Sequence, residues 1–233
     1  MQTLLDAFFN AFQLLVSGDP ELLAIVGLTL RVTGFALVLA LLLGLPVGAL
    51  LGLMGRFPGG GCLIPLIYTG MGLPPVVVGL FVYLLLSNQG PLGGLRWLFT
   101  PSAMILAQTI IAWPLVVGLT LTAVQSLDPL LPLQLRAFGA TRWQLARSLL
   151  LESKLGVFAA IVAAFGSIIS EVGAVILVGG NIRGETRVLT TAIVLETRRG
   201  PFSLGVVLGV IFLLLSLLAN PALYRLQQRG AGR

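Results

Sequence analysis

Five long apolar blocks run through the chain, at about Leu22–Met54, Leu63–Leu86, Ser102–Val124, Leu155–Val178 and Phe202–Leu223. Each reaches or exceeds the roughly 20 residues a helix needs to cross a hydrocarbon layer about 30 Å thick. The pattern predicts an all-α integral membrane fold with about five transmembrane helices. The first block is longer than a bilayer requires, so its helix tilts or projects, and Arg31 near its start can snorkel to the interface. Ahead of it, Leu4, Leu5, Phe8, Phe9, Phe12, Leu15 and Val16 share one helical face, and Asp6, Asn10, Gln13 and Ser17 share the other. Residues 1–18 therefore read as an N-terminal amphipathic helix lying in the membrane surface. No cation precedes its apolar part, which argues against a signal peptide. Gly18 ends it, and Asp19 can cap the next helix with Pro20 at its first position. Inside the second block, Pro74 and Pro75 must interrupt backbone hydrogen bonding, which a membrane tolerates only at a cavity, a pathway or a tight protein contact.

Composition narrows the function classes. The 233 residues are 57% hydrophobic and 9% charged, with mean hydropathy +1.05; a soluble domain carries about 25% charged residues. There is no histidine and a single cysteine, Cys62, so no internal disulfide and no metal site is expected. Neither a phosphate-binding loop nor a nucleophile elbow occurs, and no catalytic residue is predicted. The net charge of +6 does not point to nucleic acid, because the cations fall in loops between spans. Arg56, then Arg136, Arg142, Arg147 and Lys154, then Arg225, Arg229 and Arg233 lie on one side. Arg96, Arg183, Arg187, Arg198 and Arg199 lie on the other, offset in part by Glu185 and Glu196. The positive-inside rule then predicts the N-terminus outside and the C-terminus inside. The division predicted is an interfacial helix at 1–18, a transmembrane domain at 19–225 with a cytoplasmic loop at 127–154, and a tail at 226–233.

Small residues suit close helix contacts. Gly44, Gly48 and Gly52 form one row, Gly205 and Gly209 another, and Gly156, Ala160 and Ala164 a looser third. Packing within one chain and packing between two copies both fit such rows.

The loop "SLDPLLPLQLRAFGATRWQLARSLLLESKLG" has internal organisation. A short helix suits Pro132 to Phe138, with Gly139 as its terminator. Thr141 with Gln144 has capping-box form, so a second helix runs from Arg142 toward Lys154. Two helices meeting at a Gly139–Ala140 corner make a docking element, with Arg136, Arg142 and Arg147 placed to pair with acidic rims; a loop that merely obeys the positive-inside rule is the plainer alternative.

The stretch "SEVGAVILVGGNIRGETRVLTTAI" sets one carboxylate, Glu171, into apolar sequence, breaks at Gly179–Gly180–Asn181 and turns polar. It becomes apolar again over Val188–Leu195, which as a helix spans only about 12 Å. This segment reads as an outer gate packed back into the bundle, with Gly180 and Gly184 as flexible points, or as a structural external loop. A carboxylate within the membrane is expensive and functional by default; anchoring a helix, holding the gate and solute contact all stay open for Glu171 on the residues alone. Thr190 and Thr191 are neutral donors that could pass an anion without trapping it. Arg183, Arg187, Arg198 and Arg199 could attract an anion or face an acidic partner.

Gly139-Ala140-Thr141, followed by Trp143, resembles the cytoplasmic coupling motif of ABC importer permeases, with Leu133 where that motif has Glu and Glu152 where it has Pro. Residues 171–193 are similar to the pattern E-[FV]-G-A … G-N-I-x-G-x-T-x-x-L-x-x-A-I of the molybdate, tungstate and sulfate permeases. "MGLPPVVVGLFVYLLLS" and "RVLTTAIVLETRRG" look most like the tungstate type. The resemblance implies a type I ABC importer permease fold in a cytoplasmic (inner) membrane. It implies a homodimer with two cytoplasmic ATPase subunits and an extracytoplasmic oxyanion-binding protein. This chain would carry no cofactor, since ATP and Mg would be bound by the ATPase. Its coupling residues would be Arg136, Gly139, Ala140, Thr141, Arg142 and Trp143. Its gate or pathway residues would be Pro74, Pro75, Glu171, Gly180, Asn181, Gly184, Thr190 and Thr191. The cargo implied is tungstate first, molybdate second, with sulfate in the same class. A secondary transporter driven by an ion gradient is the rival; an odd span number and the lack of an internal repeat count against it. The missing histidine and carboxylate clusters count against a membrane enzyme.

Overall fold

The computed structural model describes residue 9, residues 12–13, 19–55, 58–199 and 204–217. The expected surface helix at 1–18, the tail at 226–233 and the cations Arg56, Arg225, Arg229 and Arg233 fall wholly or mainly outside these residues. The described residues form helices and turns, with no strand among them. They are α1 Pro20–Met54, α2 Gly60–Met71, α3 Pro75–Leu86, α4 Pro101–Gln125, α5 Leu130–Ala137, α6 Arg142–Glu152, α7 Lys154–Ile169, α8 Gly173–Gly179, α9 Leu189–Arg199 and α10 Leu204–Leu217. Helices α1 and α4 are long and apolar enough to cross a membrane unbroken. Asp19 caps α1 as expected, its Oδ1 accepting from the Leu22 amide at 2.9 Å.

The second apolar block is broken where its prolines require. Gly72 and Leu73 close the end of α2 by bonding back to Thr69 and Gly70, Pro74 is extended, and Pro75 opens α3 at its first position. The fourth block differs from the single stretch read over Leu155–Val178. It stops at Ile169 and restarts at Gly173. The cause is local: the Glu171 side chain bonds the Ala174 amide at 2.9 Å, so a new helix start forms inside the apolar run.

The chain divides into two compact units. One holds residues 36–73 and 109–168. Its core is the glycine row of α1 set against α4: a Cβ on Gly44 would lie 2.7 Å from Val116 Cγ1, and one on Gly52 2.8 Å from Val124 Cβ. A Cβ on Gly48 would lie 2.7 Å from the Val117 carbonyl oxygen. This row therefore packs within one chain. Without a hydrophobic force between lipid-solvated helices, such close approach supplies the dispersion contacts that hold them. We expect Gly48→Val to lower stability by about 1–3 kcal/mol, because the first obstacle is backbone and cannot rotate away; thermal unfolding in detergent reads this. Helix α6 joins the same unit by burying Leu145, Ala146 and Leu149 against Ala49 and Val124.

The other unit holds residues 19–35, 74–108 and 169–217 of the described chain. Helices α3 and α8 meet there through small residues, a Cβ on Gly79 falling 2.5 Å from the Ala174 Cα. Leu22, Leu189, Ala192, Val207, Leu208 and Ile211 make a second buried cluster joining α1, α9 and α10.

Candidate functional site

In the unit of residues 36–73 and 109–168, α5 ends at Ala137 and the chain turns through Phe138, Gly139 and Ala140. Gly139 has φ +80°, a conformation side chains resist, and its amide bonds the Arg136 carbonyl at 2.9 Å. The capping box read at Thr141 is complete: the Gln144 amide donates to Thr141 Oγ1 at 3.3 Å, and the Thr141 amide to Gln144 Oε1 at 2.8 Å. Helix α6 is thus fixed at its start by its cap and along one face by its buried leucines. It bends by 79° into α7 at Ser153. The opposite face is open. Phe138 is 89% exposed and Trp143 67%, with Leu130 and Leu133 also exposed beside the cations Arg136, Arg142 and Arg147. Bulky apolar side chains thus stand exposed in a polar, charged loop, as interaction surfaces do. The sequence reading picked out Trp143 and the corner but not Phe138; its place beside the turning glycine was the available signal.

In the other unit, a second group of residues holds the segment after α8. Gly180, Asn181 and Gly184 all have positive φ, at 72°, 52° and 80°. Three threonines pin the resulting loop. Thr186 Oγ1 donates to the Gly179 carbonyl and accepts from the Ile182 amide at 2.9 Å. Thr29 Oγ1, on α1, accepts from the Leu189 amide at 3.0 Å, and Thr190 Oγ1 donates to the Glu171 carbonyl at 3.1 Å. Asn181 Nδ2 reaches the Thr191 carbonyl at 3.3 Å, while Thr191 Oγ1 folds back onto Val188. In this conformation both Thr190 and Thr191 are buried and their hydroxyls are engaged within the chain. Glu171 is 9% exposed and caps α8. Phe99 completes the support, its amide donating to the Val178 carbonyl at 2.8 Å and its ring lying where any Gly180 side chain would go.

The structure thus gathers Glu171, Gly180, Asn181, Thr190 and Thr191 into one hydrogen-bonded group, with Gly184 at its exposed turn. Pro74 and Pro75 contribute indirectly, by opening the α3 that packs on α8. Thr29 and Thr186 were not singled out as site residues; Thr186 stood in the matched pattern, but Thr29 carried no sequence signal. An ion pair closes the exposed side: Arg183 Nε bonds Glu21 Oε1 at 2.8 Å, its Nη2 bonds Glu21 Oε2, and Arg187 Nη1 lies 3.7 Å from Glu21 Oε1. Arg183 donates these bonds to the Glu21 carboxylate, which raises the Arg183 pKa. No group of three or more His, Cys, Asp or Glu side chains fit to hold a metal occurs among the described residues.

Residues 44–231 match the family model of the binding-protein-dependent transport system inner membrane component. The chain is 44% identical over 224 residues to a probable anion ABC transporter permease of Haloferax volcanii, covering 93% of this chain and 96% of the relative. It is 36% identical over 228 residues to the tungstate uptake system permease TupB of Peptoclostridium acidaminophilum, covering 98% and 100%. Its fold is like that of a chain of the MetNI methionine ABC transporter in an inward-facing conformation, with TM-score 0.73, 20% identity, and coverage of 91% of this chain and 99% of that one.

Proposed function

Since the chain belongs to the family of binding-protein-dependent transport system inner membrane components, we propose that it is the membrane subunit of an ATP-driven importer for a tetrahedral oxyanion, tungstate first and molybdate second. It is a transport component rather than an enzyme, and it works with an ATPase and a substrate-binding protein. Two copies form the pathway, the N-terminus faces outside and the C-terminus inside, and ATP and Mg are held by the two ATPase subunits. The observation that carries this reading is the exposed apolar corner at Phe138–Trp143, held rigid by a full capping box and by the buried face of α6. A rigid lever with a greasy tip transmits motion; a flexible one dissipates it.

In the mechanism proposed, closure of the ATPase dimer pushes the corner, α6 carries the push into α1 and α4 through Ala49 and Val124, and the inner mouth closes. The outer gate is the loop pinned by Thr29, Thr186 and Thr190, with Gly180 and Gly184 as its hinges. Opening it exchanges internal hydrogen bonds for contacts to the loaded binding protein, and the anion passes inward. Tungstate is placed first on the likeness to the tungstate permease over the whole of that relative's length.

Deleting the gene should abolish accumulation of tungsten at trace external concentration, and a plasmid copy should restore it; elemental analysis of the cells reads both. Loss confined to sulfate would keep the importer and change the cargo. Uptake of all three oxyanions unchanged, in a strain without other oxyanion importers, would remove the assignment.

A further inference from the structure

The Arg31 side chain is unexplained by the coupling corner and by the gate. It lies about 16 Å along α1 from Pro20, on the exposed side of a helix whose exposed neighbours include Leu23, Leu30 and Phe35. Snorkelling can carry its charge toward the interface, but beside residues that face hydrocarbon the charge is costly until water or an anion meets it. Among the described residues it has no hydrogen-bond or ion-pair partner.

Arg31 lines a cavity of about 670 Å³ bounded by α1, the start of α4 and the loop at 183–187. The α1 wall is apolar and small, Ala24, Gly27 and Leu28. Arg183 and Arg187 also line it, with Glu21 and Glu185. Glu21 is already taken up by Arg183. Arg187 is largely buried, and its Nε–H has no acceptor among the described residues. The cavity is thus lined by the Arg31 guanidinium, which has no partner among the described residues, and by Arg187, whose guanidinium has there only the 3.7 Å contact to Glu21, beside an apolar wall. Three arginines against two glutamates leave it cationic. Its volume falls in the range of about 300–1,000 Å³ typical of organic ligands and far exceeds a bare tetrahedral oxyanion.

We propose that this cavity binds the phosphodiester headgroup of an anionic phospholipid, with the phosphate between Arg31 and Arg187 and the start of an acyl chain along Ala24, Gly27 and Leu28. Both guanidiniums present paired donors to a phosphate, and a lipid reaches the site laterally, along the exposed side of α1. The bound lipid rests against the loop that carries Gly184, so it braces the Glu21–Arg183 contact from the membrane side. The transported oxyanion shares the phosphate's shape and charge and is the other source of the same chemistry.

Native mass spectrometry of the purified permease–ATPase complex tests this, after equilibration in mixed micelles of phosphatidylglycerol or of phosphatidylcholine, with and without millimolar sodium tungstate. The expected result is one phosphatidylglycerol retained per permease chain, preferred over phosphatidylcholine by about fivefold or more, the size of one cationic contact to an anionic headgroup, and not displaced by tungstate. Arg31→Gln should lose that preference. Gly27→Phe should lose it with every charge intact; a Cβ there meets nothing within 4 Å, so the helix accepts the ring and the cavity fills. Equal retention of the two lipids by the unaltered protein, undiminished retention in Gly27→Phe, or displacement of the lipid by tungstate would each overturn the proposal.

Discussion

Replacing Gly139 by Asp should leave the permease in the membrane at normal level while uptake falls by about tenfold or more and the ATPase no longer co-purifies. The expectation rests on two opposed properties of one position. Gly139 has φ +80°, which costs an ordinary residue about 1–2 kcal/mol, and aspartate is among the few that tolerate it. A Cβ at this site meets nothing within 4 Å, so no internal contact is lost. The turn therefore survives. What changes is the outward surface, where a carboxylate now stands between exposed Phe138 and the α6 cations. A partner groove that closes over a small residue and offers acidic groups to Arg136 and Arg142 meets bulk and like charge together. A like-charge juxtaposition in an interface costs several kcal/mol, and each 1.4 kcal/mol is about tenfold in affinity. Gly139→Ala is the control. It imposes the backbone strain without the charge, so it should lose less coupling than the aspartate variant. If Gly139→Asp transports normally, the corner is not the coupling element, whatever the family resemblance.

The features legible in the sequence were those encoded within a few residues of one another. Thr141 and Gln144 declare a capping box by spacing alone, and the box is there at both of its bonds. Asp19-Pro20 declares a helix start, and Pro74-Pro75 a break. Where a feature depended on residues far apart, the reading stopped short. The row Gly44, Gly48, Gly52 fitted packing in one chain or between two; only the position of α4 against it decides. Thr29 lies 160 positions from the Leu189 amide it accepts from, and nothing in its own neighbourhood distinguishes it from any threonine bonding back along a helix, which it also does to Ile25. The fourth apolar block concealed its break for a different reason. The one carboxylate in it was plain in the sequence, but not that its side chain would turn back to accept from the Ala174 amide and start a new helix there.

That same carboxylate gives the second large effect. Glu171→Leu should reduce uptake about tenfold with the protein still inserted, and Glu171→Gln should retain at least about half. The Glu171 side chain makes a single described contact of consequence: Oε1 accepts from the Ala174 amide at the start of α8. Leucine leaves that amide buried without an acceptor, at a cost of about 1–3 kcal/mol. In a helix of 7 residues there is little else to hold the first turn. The Thr190 hydroxyl bonds the backbone carbonyl of Glu171, which both variants keep, so the loss is confined to the cap. Loosening the start of α8 displaces Val178 and Gly179, whose carbonyls receive Phe99 and Thr186, and through them the pinned loop. Glutamine keeps an acceptor in the same place and removes only the charge. Two uptake rates, normalised to the permease present in the membrane, then separate the possibilities. Loss in leucine alone assigns Glu171 to holding the gate. Equal loss in both makes the negative charge itself the requirement, and a role in contact with the passing solute or a proton would replace the capping role.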